Sequence, residues 1–138
     1  MIDRTLVLIK PDGVQRALAG EIISRFEKVG LKIAGMKMVW ADENHARLHY
    51  PLDEAWAKNV FDKTKTVYDK EGKNLPFKDH MEFGLNIQKK LIRFLREGPV
   101  IAICLEGIDA PEIVRKLVGG TEPKSALPGT IRGALSHI

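Results

Sequence analysis

The chain has 138 residues, 44% of them hydrophobic and 29% charged, and its 22 basic and 18 acidic side chains leave a formal net charge of +4. That length predicts a single domain over residues 1–138 with one core, which at this size buries roughly two-thirds of the unfolded chain's surface. The longest purely apolar run, residues 100–105, falls far short of the roughly 20 residues of a membrane span, and Met1-Ile2-Asp3-Arg4 lacks a signal peptide's charged-then-apolar order, so a cytoplasmic protein is expected.

Residues 5–9 form a continuous β-favouring run and residues 100–105 another; neither alternates, so both read as central strands covered on two faces. The one cysteine, Cys104, lies inside the second run and reads as a buried structural thiol. Ile22, Phe26 and Val29 repeat at helical spacing, with Gly30 placed for a left-handed cap. Leu31 and Ile33 alternate with polar residues, then Met36, Met38 and Trp40 do so in the opposite phase, which predicts a strand with a bulge at Ala34-Gly35. Residues 53–80 carry balanced Lys and Asp/Glu charges and read as a solvated charged insertion, in which Trp56, Val60 and Phe61 can seat a helix and residues 70–76 a loop. Ile87, Leu91, Phe94 and Leu95 mark a helix ended by Gly98-Pro99. A further helix opens at Asp109, with Glu112 as its capping-box partner, and buries Ile113, Leu117 and Val118 before Gly119-Gly120. The coarse order is β-α-β-α-β-α.

Three cations stand where chemistry can use them. Lys10 follows a strand and precedes Pro11, which forces the lysine into extended backbone and gives its ammonium a defined exit from the sheet end. Arg115 lies beside Val114, off the apolar stripe of its helix, and Thr121 follows two glycines that allow a ligand close to the backbone. Arg132 follows Pro128-Gly129-Thr130-Ile131, a loop of constrained shape. Together they would supply three cations to a triphosphate, the lysine as a point charge and the arginines as forks able to hold two oxygens. Singly, Lys10 reads equally as a solvated strand-end lysine and Arg115 as a solvated helix arginine.

The segments Ile9-Lys10-Pro11-Asp12-Gly13-Val14-Gln15-Arg16, Gly119-Gly120-Thr121-Glu122-Pro123 and Pro128-Gly129-Thr130-Ile131-Arg132-Gly133 resemble the nucleoside diphosphate kinase family, which moves a γ-phosphate between nucleotides through a phosphohistidine. The resemblance implies a ferredoxin-like α/β (α+β) sandwich, an antiparallel sheet with helices on its faces. It also implies that Lys10, Arg115, Thr121 and Arg132 bind phosphates and that Tyr50 lies near the catalytic histidine. Trp56, with Phe61 as second choice, is the expected nucleobase platform. Mg2+ is expected to bridge the nucleotide's phosphates, and the expected partners are nucleoside di- and triphosphates within a homo-oligomer, a hexamer or a tetramer built from dimers. Neither a membrane nor nucleic acid is an expected partner, because the basic balance (pI about 9.2) is not gathered into a stripe with interleaved aromatics.

The sequence departs from the family's pattern in three places. The segment 53–80 is longer than in compact members, and Arg132-Gly133-Ala134-Leu135 stands where Arg-Gly-Asp-aromatic is usual, so an acid that would brace the loop is missing. The third departure is the Asn-x-x-His-x-Ser motif, which does not occur in these residues. The histidines present, His45, His49, His80 and His137, do not match it; His45 and His49 share a helical face at a metal-like i, i+4 spacing, but without a third ligand they read as a surface helix, and His137 is too close to Arg132 along the chain. The expectation is that the final strand, the final helix and the phospho-accepting histidine lie beyond Ile138. The rival readings are a nucleotide-binding or regulatory module without the nucleophile, and a nucleic-acid-binding α/β domain.

Overall fold

A computed structural model describes residues 1–136, so His137 lies outside the described residues. The chain divides into two compact units, Met1–Trp40 with the chain from Gly98 onward, and Ala41–Glu97.

The first unit is built on a three-stranded antiparallel sheet in the order β1 (Ile2–Ile9), β3 (Val100–Ile108), β2 (Lys32–Val39). In β3, which pairs with both other strands, Val100, Ile101, Ile103 and Leu105 are buried but Ala102, Cys104 and Glu106 are only half-buried, so it too has one partly open face. Its twin in the sequence reading, β1, is more exposed still. Among the described residues β1 pairs with β3 alone, and its exposure alternates: Leu6 is 65% exposed whereas Ile9 is 3% exposed. An apolar run therefore does not require two covered faces; β1 places apolar side chains on an open face as well. Cys104 shares that face, in register with Leu6 and Gly35, and is half-buried rather than buried. Arg4 donates to Glu106 across the same face at 2.9 Å, and that hydrogen bond holds the Glu106 carboxyl below its usual range. The predicted bulge is present, as a register shift between Ile33 and Gly35.

Helices cover the other face. α1 (Pro11–Gln15) follows β1, α2 (Ala19–Lys28) precedes β2, and α6 (Ala110–Val118) and α7 (Ile131–Leu135) follow β3. Phe26 of α2, Ala110 and Val114 of α6 and Ile131 of α7 join Ile9, Leu31, Ile101, Ile103 and Leu105 in one buried cluster. Gly30 has φ +89°, as a left-handed position after a helix requires. Val29 is the C-cap of α2 and half-exposed, so it does not continue the apolar stripe of Ile22 and Phe26. Asp109 is not the capping-box residue expected of it: it sits at φ +52°, its side chain makes no cap bond, and its N–H donates to the Met1 carbonyl. With Asp109 turned into that conformation, Glu112 pairs instead with Lys116 at 3.4 Å.

The second unit is helical, with α3 (Glu43–His49), α4 (Glu54–Lys70) and α5 (His80–Leu95). Much of the charged segment 53–80 is thus α4, capped by Asp53, whose carboxylate accepts from the Ala55 and Trp56 N–H groups, and left at Gly72 with φ +68°. Asp79 accepts from the Glu82 N–H at 2.8 Å and Glu82 reaches back to the Lys78 N–H, a reciprocal cap that starts α5. Phe83 packs edge-to-face with both Phe61 (5.8 Å) and Phe77 (5.2 Å). Among the described residues no helix is long and apolar enough to cross a membrane.

α4 and α5 approach closely at Gly84, where an added Cβ would lie 2.6 Å from the Ala57 Cβ. A helical Gly→Ala change ordinarily gains about 1 kcal/mol, whereas overpacking a close contact costs about 1–3 kcal/mol. Because the obstacle is another helix rather than a mobile side-chain tip, Gly84→Ala should lower stability in urea denaturation by about 1–2 kcal/mol. A stabilised Gly84→Ala protein would show that the two helices separate freely.

Candidate phosphate-binding site

Lys10, Arg115 and Arg132 come from three different elements, yet each is the chain neighbour of a residue buried in one cluster: Ile9 (3% exposed), Val114 (8%) and Ile131 (8%). Lys10 adopts the extended conformation expected before proline, with φ −75° and ψ 172°, and Pro11 is buried at the first position of α1. Its carbonyl accepts from the Val14 N–H, so the backbone at the lysine is tied into the turn it precedes.

α6 starts beside Met1, through the Asp109–Met1 hydrogen bond, and packs along β1. Arg115 lies exposed in its last turn, and Thr121 lies exposed just beyond Gly119-Gly120. Gly119 has φ +88° and ψ −177°, and a Cβ there would sit 2.5 Å from Thr130 Oγ1, so only glycine lets the two loops touch.

Thr130 caps α7. Its hydroxyl donates to the Leu127 carbonyl at 2.6 Å and accepts from the Gly133 N–H at 3.0 Å, which directs the chain into the helical turn carrying Arg132. Arg132 Nη1 donates to the carbonyls of Gly119 (3.2 Å) and Gly120 (3.4 Å), joining its own loop to the one that holds Thr121. In the absence of an acid after Arg132-Gly133, the contacts on this loop are those of Thr130 and of the two glycine carbonyls. Gly133 is also required by shape, since a Cβ there would overlap the Leu127 carbonyl.

Lys10, Arg115, Thr121 and Arg132 all belong to the first unit, and Tyr50 and Trp56 to the second. Tyr50 is the C-cap of α3; its ring meets His49 edge-on at 4.6 Å, its carbonyl accepts from Gln88 Nε2, and its hydroxyl oxygen is buried. Trp56 lies half-buried in the first turn of α4. Phe61 is engaged by Phe83, which leaves Trp56 as the aromatic of the pair outside that ring cluster. His45 is exposed beside Asp42, and among the described residues no group of three His, Cys, Asp or Glu is placed to hold a metal.

Sequence reasoning missed the residues that hold the loops. Thr130 was legible, as a hydroxyl residue just before an apolar helical start. Arg25 was not: its Nη1 donates to the Gly129 carbonyl at 3.0 Å across 104 residues of chain, a contact with no local signature.

The family model for nucleoside diphosphate kinase matches residues 3–73 and 77–137, leaving only 74–76 unmatched between them. A nucleoside diphosphate kinase of Pyrobaculum aerophilum is 45% identical over 98% of this chain and 76% of its own length. The crystal structure of an NDP kinase from P. aerophilum superposes with a TM-score of 0.90 at 42% identity, covering 99% of this chain and 77% of that one. A Borrelia burgdorferi enzyme, solved as a transition-state mimic with vanadate and ADP, superposes at 0.73 with 37% identity, covering 99% of this chain and 67% of that one. The antiparallel sheet with helices and these similarities agree on one conclusion: the chain belongs to the nucleoside diphosphate kinase family of phosphotransferases.

Proposed function

We propose that Lys10, Arg115, Thr121 and Arg132 hold the phosphates of the nucleotide in the family's reaction, transfer of the γ-phosphate of a nucleoside triphosphate to a nucleoside diphosphate through a phosphohistidine. One observation carries the reading: three cations on three elements are each anchored by an adjacent residue of the same buried cluster. Vanadate and ADP on a relative of 37% identity support a phosphate site in this fold.

In phosphoryl transfer the charge of the transition state spreads over the equatorial phosphoryl oxygens, and the protein contributes mainly position and countercharge. Lys10 acts as a compact charge on the distal phosphates. Arg132 uses Nη1 on the two glycine carbonyls, so its remaining N–H donors form the fork for phosphate oxygens. Arg115 adds a second guanidinium, and Thr121 a hydroxyl donor. Tyr50 is assigned to the neighbourhood of the phospho-accepting histidine, a motif that these 138 residues do not include, and Trp56 to the base.

The substrate is the magnesium complex of the nucleotide. The phosphates supply the ion's oxygen ligands, which suits a cation that keeps several waters and binds through substrate phosphates. A cytoplasmic homo-oligomer, hexamer or tetramer of dimers, completes the proposal.

Lys10→Ala should weaken ATP binding about tenfold or more while changing AMP binding little, because a charge-assisted bond to a distal phosphate is lost and base contacts are kept. Calorimetric titration with both nucleotides checks this, and equal losses would remove Lys10 from the phosphate site. Arg132→Lys should also weaken ADP binding about tenfold despite the kept charge, since an ammonium cannot bridge two carbonyls and a phosphate in a planar fork. Unchanged ADP affinity would make Arg132 a loop residue only.

A further inference from the structure

The loop that delivers Arg132 is fastened from a helix that carries none of the proposed ligands. Arg25, on α2, is 24% exposed at its side chain; its Nε donates to Glu21 Oε1 at 3.1 Å one turn earlier, and its Nη1 donates to the Gly129 carbonyl at 3.0 Å. Gly129 has φ +91°, the conformation that presents this carbonyl, and the next residue is the Thr130 that caps α7. One arginine thus joins an ion pair on a helix to the turn from which the phosphate-binding arginine projects.

We propose that Arg25 is a positioning residue for phosphate binding: oriented by Glu21, it pins Gly129 and so fixes where Thr130 and Arg132 stand. The inference rests on the reading of Arg132 as a phosphate ligand. Three features favour positioning over general stabilisation. The bond ends on a loop carbonyl, not in the core. Its receiving residue is three positions from Arg132 and one from the hydroxyl that starts α7. The guanidinium also donates from Nε to Glu21, so two bonds from one planar group set its orientation towards Gly129. A lysine at this position keeps the charge and the aliphatic stem, but its single ammonium cannot serve Glu21 and Gly129 in the same fork geometry.

The test is calorimetric titration of ATP and AMP into the wild-type chain, Arg25→Lys, Glu21→Gln, Arg132→Gln and the double variant Arg25→Lys/Arg132→Gln, with urea midpoints measured alongside. Arg25→Lys should weaken ATP about tenfold and AMP less than about twofold, and Glu21→Gln, which leaves Arg25 in place without its orienting carboxylate, should give the same pattern at smaller size. The double variant should bind ATP no more weakly than Arg132→Gln alone, because Arg25 acts through Arg132. Additive losses in the double variant, or equal losses for ATP and AMP, would overturn the inference and make Arg25 a stabilising residue. Unchanged ATP affinity in Arg25→Lys beside a weakened Arg132→Gln would overturn it while the phosphate reading stands. Unchanged ATP affinity in Arg132→Gln would overturn both.

Discussion

The placement of charge in the first unit depends on one buried cluster. Ile9, Val114 and Ile131 are each in it, and each is followed at once by a cation. Burial fixes an apolar side chain to a narrow range of positions, because interiors are close-packed and do not deform continuously. The next residue along the chain inherits that precision without entering the core itself. Lysine and arginine side chains lose considerable rotamer freedom when they hold a ligand, so anchoring their backbones beforehand lowers the ordering that binding demands.

Glycine geometry completes what the core begins. The backbone at Gly119 lies in a region open to glycine alone, and its lack of a Cβ lets Thr130 approach until Arg132 reaches the Gly119 and Gly120 carbonyls. Thr130 then serves two purposes with one hydroxyl, as acceptor for a helix-start N–H and donor to a turn carbonyl. Loops built this way are held by many small specific contacts rather than by burial. Their positions can therefore serve a ligand that must enter and leave.

Local signals in the sequence were reliable where local physics decides the outcome. The proline after Lys10, the glycine after α2 and the phase slip at Ala34-Gly35 each act within a few residues, and each produced the expected backbone. The antiparallel sheet followed from the family resemblance carried by the loop motifs. Reading failed where pairing across the chain decides. Residues 5–9 have the composition of a doubly covered strand, but the coverage of β1 depends on its sheet position, which no local run encodes. Asp109 had the right spacing for a capping box, but its backbone is left-handed and its N–H donates to the carbonyl of Met1, a residue far away in the chain. The cations were legible as candidates; the clamp of Arg132 on two carbonyls and the reach of Arg25 to Gly129 were not, because each joins residues far apart in the chain. α3 was read only through the helical face that His45 and His49 share, without bounds, since a helix of seven residues leaves a short periodic stripe.

The central claim is that these cations form one site that reads phosphates. The most direct measurement is the affinity of the unmodified chain for AMP, ADP and ATP as their magnesium complexes, each taken over a range of salt concentrations. The account predicts that affinity rises with each added phosphate and that salt weakens ATP binding most steeply, as expected when several cations face several anionic oxygens. Equal affinities for the three nucleotides, with a common salt dependence, would contradict it.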